Sequence, residues 1–89
     1  MKLVEVEIKN INGLHARPAA AFVKLSAKFK SNIKVSKGRE TVDGKSILGL
    51  MLLAAEKGSK LKISADGDDE EKALDAIKTL VEVEKFGEK

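Results

Sequence analysis

The sequence contains no cysteine, tryptophan or tyrosine, and it has a single histidine and a single proline. Without cysteine, disulfide scaffolds and thiolate metal sites are excluded, and a reducing compartment is favoured. With one histidine as well, no metal site is expected. The three phenylalanines, Phe22, Phe29 and Phe86, fall on a predicted helix or near the C-terminus. A sheet that stacks RNA bases on aromatic rings is therefore disfavoured, and no direct nucleic-acid partner is expected.

Long apolar runs are also missing. The longest, residues 47–55, has nine residues, whereas a transmembrane helix needs about 20. The first five residues mix charged and apolar side chains, which is unlike a signal peptide. We therefore expect a cytoplasmic protein without a membrane partner. With 89 residues, 43% of them hydrophobic and 35% charged, the chain is expected to form one folded domain over residues 1–89.

Acidic residues are absent from a long central stretch, although the net charge is only +3. Residues 24–39 hold six basic side chains and no acidic one, whereas residues 66–71 hold five acidic ones. A basic face favours an acidic partner. Ordinary solvated surfaces explain the same distribution equally well.

The spacing of apolar residues predicts four strands and three helices. Alternation predicts strands near residues 4–8, 33–35, 41–42 and 61–65, with a hairpin turn at 37–39. Helical periodicity predicts helices over residues 16–29 and 47–55, the second closed by Gly58, and a third with an aspartate cap and an apolar stripe over 73–81. This order, βαββαβα, predicts an α+β fold in which a small antiparallel sheet carries its helices on one face.

The only histidine, His15, lies three residues before the only proline, Pro18. If a helix begins at Ala16, His15 is its N-cap, and Pro18 is tolerated at the third helical position because first-turn amides have no helical acceptor. The positive helix end and the Arg17 guanidinium both disfavour an imidazolium, so a largely neutral, nucleophilic ring is expected. The same groups favour an incoming phosphoryl group. A histidine that serves only as a cap or surface residue fits this pattern as well.

Ser46 precedes the second predicted helix, where it is expected to act as the N-cap. Phosphate is also favoured at a helix N-terminus, so Ser46 is a candidate phosphorylation site. The helix is apolar on all sides, and a small domain buries only one of them. We expect Leu50 and Leu53 to face the core, and we expect Ile47, Leu48 and Met51 to form an exposed binding patch.

Three segments resemble one known family. They are GLHARPAA at residues 13–20, KSILGLM at 45–51 and ISADGDDEEKAL at 63–74. These segments are similar to the signatures of HPr, the histidine-containing phosphocarrier family of the bacterial sugar phosphotransferase system, and the likeness covers essentially the whole chain. The resemblance implies an open-faced β-sandwich, with four antiparallel strands covered by three helices.

The resemblance also implies a function. Enzyme I, charged by phosphoenolpyruvate, would phosphorylate His15 on Nδ1, and the group would pass to the IIA domains of sugar permeases. Arg17 would assist the transfer, and Asn12 and Ala16 would help to stabilise the phosphate. Both partners would dock on the surface formed by helices one and two. Helix one would contribute Arg17, Ala20 and Lys24, and helix two would contribute the apolar Ile47, Leu48 and Met51. Such a carrier is not an enzyme, needs no cofactor and is expected to be a monomer.

Ser46 resembles a regulatory serine of Gram-positive members of the family. There an HPr kinase/phosphorylase phosphorylates it, and the product acts as corepressor with a catabolite-control transcription factor. Many of those members carry methionine where this chain has Leu48 and a small polar residue where it has Leu52. A purely regulatory binding module that acts through Ser46 and helix two is the alternative function.

Overall fold

The computed structural model describes residues 1–87 and follows the predicted order of elements. Residues 88 and 89 of the predicted domain lie outside the described residues. The strands and helices are β1 (Lys2–Glu7), α1 (Ala16–Ser26), β2 (Asn32–Lys37), β3 (Glu40–Asp43), α2 (Ile47–Leu52), β4 (Lys60–Asp66) and α3 (Glu70–Lys78). A π-helical turn, Thr79–Val83, and a 3-10 turn, Lys85–Gly87, follow α3. Within residues 1–87, no helix is both long and apolar enough to cross a membrane.

The four strands form one antiparallel sheet in the order β1-β4-β2-β3. Val6 pairs with Leu61, and Val35 pairs with Ile63, so buried residues of neighbouring strands lie side by side. Their neighbours along the strands, such as Lys62, are exposed. Because side chains alternate between the two faces of a strand, one face of the sheet carries the core and the other faces solvent. The predicted open-faced architecture is confirmed.

The helices supply the other half of the core. Ala19 and Phe22 of α1, Leu50 of α2 and Ile77 of α3 are each at most 1% exposed. They share one cluster with the inward side chains of the sheet. Burial of apolar surface contributes about 25 cal/mol per Å², which makes this cluster the main source of stability.

Helix α1 ends at Ser26, three residues before the predicted end at Phe29. The amides of Lys28 and Phe29 donate to carbonyls only three residues earlier, on Leu25 and Ser26, at 3.0 and 3.1 Å. These tighter bonds close the last turn, and the chain then leaves the helix to enter β2.

Helix α2 also ends early, at Leu52 instead of Ala55. Ala54 has a φ of +50°, in the left-handed region that alanine rarely adopts. Gly58, which was predicted to close this helix, instead has a φ of +93° in the turn before β4, where its amide donates to the Ile8 carbonyl at 2.7 Å. Hydrogen bonds from distant positions hold residues 53–55 outside the helix. The Lys37 ammonium donates to the carbonyls of Leu53 and Ala54, and the Leu14 amide donates to the Ala55 carbonyl.

Asp69 occupies the N-cap position of α3, but its carboxylate does not cap that helix. It accepts hydrogen bonds from the amides of Lys30 and Ser31, at 2.8 and 3.0 Å, and from the Ser31 hydroxyl. The predicted aspartate cap is therefore wrong in its partner, because the side chain joins α3 to the loop between α1 and β2. Glu70 instead accepts from the Gly67 amide at 3.2 Å.

Acid is expected to weaken the link that Asp69 makes. The Ser31 hydroxyl and the Lys30 amide, which donate to the carboxylate, lower the pKa of Asp69. A group whose pKa is lowered by folding stabilises the native state above its unfolded-state pKa, and this contribution is lost as the pH falls through the folded-state pKa. Asp69→Asn should therefore unfold at lower urea than the wild type at pH 7, and the difference should shrink as the solution is acidified below pH 4.

Urea titrations at stepped pH values test this expectation. Asp75→Asn, which changes an exposed carboxylate on the same helix, is the matched control. A difference between Asp69→Asn and the wild type that stays constant down to strongly acid pH would contradict the role of the charged carboxylate.

Candidate functional site

The loop before α1 is held by hydrogen bonds on both sides. The Asn10 side-chain amide donates to the Gly13 carbonyl at 2.8 Å, and the Gly13 amide donates to the Asn10 carbonyl at 3.2 Å. The Leu14 amide donates to the Ala55 carbonyl at 2.8 Å, and the Leu14 side chain is buried. Gly13 has a φ of +68°, and a Cβ there would overlap the Ala55 carbonyl oxygen. The loop therefore enters α1 along a fixed path.

His15 is the N-cap residue of α1, as predicted. Its backbone is extended, with φ −91° and ψ −167°, and its carbonyl accepts the first helical hydrogen bond, from the Ala19 amide at 2.9 Å. The side chain is exposed and makes no capping hydrogen bond. The helix thus begins on the backbone of His15, and the imidazole is not used to cap it.

The start of α1 suits an anion. Pro18 is buried at the third helical position and has no amide proton. Helix geometry leaves the amides of Ala16 and Arg17 without an intrahelical acceptor, and they carry the positive end of the helix dipole. No acidic residue occupies the first turn. Arg17, two residues after His15, is exposed there and adds a full positive charge to this end of the helix.

A shallow depression brings His15 together with residues from two other segments. Asn12 and Leu14 line it from the loop, Met51 lines it from α2, and Ala54, Ala55 and Glu56 line it from the segment that follows α2. Asn12 and Met51, both predicted as site residues, therefore share one surface with His15. Ala16 and Arg17 lie on the first turn of α1, outside this lining.

The predicted docking residues lie on two helices that pack against each other. Arg17, Ala20 and Lys24 are exposed on α1, where their spacing places them on one side of the helix. Ile47, Leu48 and Met51 are 43%, 69% and 41% exposed on α2. Leu50 and Leu53 are at most 3% exposed, so their predicted burial is confirmed. Leu52, which was not predicted as part of the patch, is 69% exposed.

Ser46 is the N-cap of α2, as predicted. Its Oγ accepts a hydrogen bond from the Gly49 amide at 3.1 Å, and its carbonyl accepts from Leu50 at 3.1 Å. The side chain is half-buried, and a Cβ at Gly49 would lie 3.3 Å from the Ser46 oxygen. Glycine at position 49 therefore leaves room around this hydroxyl.

The Ser46 cap can be tested by its removal. Ser46→Ala is expected to lower the free energy of unfolding by about 1 kcal/mol, because the Gly49 amide loses its acceptor. Urea unfolding measures the change. Ser64→Ala in β4, which has no capping role, is the control and should change stability by about 0.5 kcal/mol or less. Equal effects of the two substitutions would show that the cap contributes nothing.

A larger depression lies elsewhere, at the start of α3. Its volume is about 610 Å³, against about 320 Å³ for the one beside His15. Four carboxylates line it, from Asp68, Asp69, Glu70 and Glu71, together with Lys30 and Lys72. Since like charges repel, this acidic surface does not suit a phosphoryl group.

No pattern in the sequence indicates the wall that Ala54, Ala55 and Glu56 form beside His15. Ala54 and Ala55 have high helix propensity, so the sequence predicts that they belong to α2. These residues lie about 40 positions after His15 in the sequence, so no local pattern predicts that the two segments meet. They are joined by the hydrogen bond from the Leu14 amide to the Ala55 carbonyl. A left-handed alanine has no sequence signal comparable to that of glycine.

The chain matches the family described as "PTS HPr component phosphorylation site" over residues 3–83. It is 45% identical over 76 residues to phosphocarrier protein HPr of Neisseria meningitidis, with 85% of each chain covered. It is also 42% identical over 80 residues to the HPr-like protein Crh of Halalkalibacterium halodurans, covering 90% of this chain and 95% of that one.

A crystal structure of HPr-C-His from Thermoanaerobacter tengcongensis superposes on the fold with a TM-score of 0.94 and 53% sequence identity, covering 100% of this chain and 99% of the other. The family match spans the His15 loop, α2 and the start of α3, the three segments that carry the resemblance in sequence. The chain belongs to the HPr family, the phosphocarrier proteins of the phosphotransferase system.

Proposed function

We propose that His15 accepts a phosphoryl group from enzyme I, charged by phosphoenolpyruvate, and passes it to the IIA domains of sugar permeases. One observation carries this proposal: the exposed imidazole lies at the positive end of α1, two residues before Arg17, in a depression that it shares with Met51 of α2. The chain would act as a carrier in the cytoplasm and not as an enzyme, because its partners supply the donor and acceptor sites.

The chemistry needs few groups from this chain. The lone pair of His15 Nδ1 attacks phosphorus, the N–P bond forms, and the bond between phosphorus and the donor group of enzyme I breaks, its electron pair leaving with the donor. The phosphoryl oxygens gain negative charge that the Ala16 and Arg17 amides and the Arg17 guanidinium stabilise. The reverse events, with a nucleophile of the IIA domain as attacker, discharge the carrier.

Docking would use the two exposed helix surfaces. Arg17 and Lys24 would meet acidic rims of the partners, and Met51 and its apolar neighbours on α2 would supply contact area next to the transferred group. Charge complementarity of this kind raises association rates and makes them sensitive to salt. The shallow, open depression beside His15 suits a group delivered by another protein.

Incubation of the protein with enzyme I and phosphoenolpyruvate tests the proposal. One phosphate per chain is expected, labile in acid and stable in base, because it is bound to nitrogen. Addition of a IIA domain should remove it. A chain that takes up no acid-labile phosphate under conditions where an HPr homologue is charged would refute the carrier function.

We propose further that Ser46 is a regulatory phosphorylation site. Its half-buried hydroxyl lies at the N-terminus of α2, where the positive end of the helix favours a phosphate dianion. The similarity to the HPr-like protein Crh supports this second function. With ATP and an HPr kinase/phosphorylase, an acid-stable phosphate should form on Ser46, and the product should bind a catabolite-control transcription factor. Absence of acid-stable phosphate would remove this function and leave the first intact.

A further inference from the structure

The C-terminal end of α2 is held by a cation from another element. Helix α2 has no basic residue in its own last turn. The Lys37 ammonium, at the end of β2, donates to the carbonyls of Leu53 and Ala54 at 3.3 Å each. The last carbonyls of a helix lack intrahelical donors and carry partial negative charge, so a cation is favoured at this place.

The segment that Lys37 holds is also a wall of the histidine depression. Ala54 lines that depression together with His15 and Met51, and it lines a second depression together with Lys37 and Arg39. The next carbonyl, of Ala55, accepts the hydrogen bond from the Leu14 amide. A displacement of this segment would therefore move the backbone that leads into His15.

Ala54 has a left-handed backbone conformation, which alanine disfavours. Its φ of +50° lies in the region that favours glycine, and the segment continues from a helix whose residues prefer right-handed backbone. The Leu53 and Ala54 carbonyls lie on the two sides of the Ala54 α-carbon, and the hydrogen bonds from Lys37 to both of them oppose a return of Ala54 to helical geometry.

We propose that Lys37 is a positioning residue for phosphoryl transfer at His15, acting through Ala54 and the bond between Ala55 and Leu14. The inference rests on the carrier function proposed above. It concerns the rate of transfer within the docked complex, because a small misplacement of reacting groups lowers the rate without weakening binding.

The test compares three variants as substrates of enzyme I. Lys37→Met keeps the length of the side chain and removes the ammonium, and it should lower kcat about tenfold with little change in KM. Lys37→Arg, which keeps a donor cation, should retain most of the turnover. Lys34→Met, on the same strand with its side chain exposed, removes the same charge and should behave as the wild type.

Three results would overturn the proposal: an unchanged kcat in Lys37→Met, a loss confined to KM, or an equal loss in Lys34→Met or Lys37→Arg. A loss confined to KM, or an equal loss in Lys34→Met, would indicate that the charge of Lys37 acts in docking. An equal loss in Lys37→Arg would indicate that local packing, and not a cation, positions the segment.

A second measurement separates this inference from the carrier function. Without any phosphoryl donor, Lys37→Met should shift the NMR signals of the His15 ring and the Leu14 amide, and Lys34→Met should not. Unmoved signals would refute the positioning role even if enzyme I charges the protein. Shifted signals in a chain that enzyme I does not charge would refute the carrier function and keep the structural link.

Discussion

Replacing His15 by alanine is expected to abolish phosphorylation by enzyme I completely. The chain has no second histidine, so no other imidazole can form the nitrogen–phosphorus bond. The fold should survive, because the His15 side chain is exposed and makes no capping hydrogen bond. A change in the free energy of unfolding of about 0.5 kcal/mol or less is expected. Acid-labile phosphate and the urea midpoint are the two measurements.

Lys62→Gln is a suitable control for His15→Ala, since Lys62 is exposed on the open face of the sheet. It should be charged by enzyme I at the wild-type rate. Acid-labile phosphate on the His15→Ala protein would contradict the assignment of the acceptor. In a host that depends on this carrier, His15→Ala should also stop sugar uptake, whereas a purely regulatory module acting through Ser46 would lose nothing.

Gly13→Ala is expected to destabilise the protein by about 3 kcal/mol, the largest loss among the substitutions considered. A left-handed backbone costs an alanine about 1–2 kcal/mol, and the overlap of its Cβ with the Ala55 carbonyl adds about 1–3 kcal/mol. The overlap also pushes the loop away from Ala55, which breaks the hydrogen bond from Leu14. Charging of His15 by enzyme I should therefore slow as stability falls.

Gly38→Ala separates the two contributions. Gly38 has a φ of +60°, close to that of Gly13, but a Cβ there meets nothing within 4 Å. The control should thus lose only the backbone part, about 1–2 kcal/mol, and should be phosphorylated normally. Equal urea midpoints for the two variants would show that the contact between Gly13 and Ala55 has no energetic weight.

The strands and helix starts could be predicted because their causes are local. Alternation of buried and exposed side chains defines β4, and Ser46 marks the start of α2. The early end of α2 could not be predicted, because Lys37 and Leu14 hold residues 53–55 from distant positions. The role of Asp69 could not be predicted for the same reason, since its carboxylate accepts hydrogen bonds from the amides of Lys30 and Ser31, which are distant in sequence.

In the candidate site, too, local features could be predicted from the sequence and contacts between distant segments could not. The sequence alone predicted that His15 begins a helix, because Pro18 and the turn residues lie within a few positions of it. The exposure of Met51 followed from a helix that is apolar all round, of which only one side can be buried. The walls supplied by Ala54 and Glu56 depend on the packing of two loops, which no local pattern encodes.

The strand order has a consequence for the sequence of events during synthesis. Among residues 1–87, strand β1 pairs only with β4, and the Leu14 amide of the histidine loop donates a hydrogen bond to the Ala55 carbonyl. Until β4, which ends at Asp66, has left the ribosome, β1 has no strand to pair with, however long β1 itself has been outside the ribosome. Contacts between distant positions form late because closing a long loop costs chain entropy. The acceptor surface is therefore expected to mature only after β4 has left the ribosome, so that partners would meet an assembled carrier and not a partly folded one.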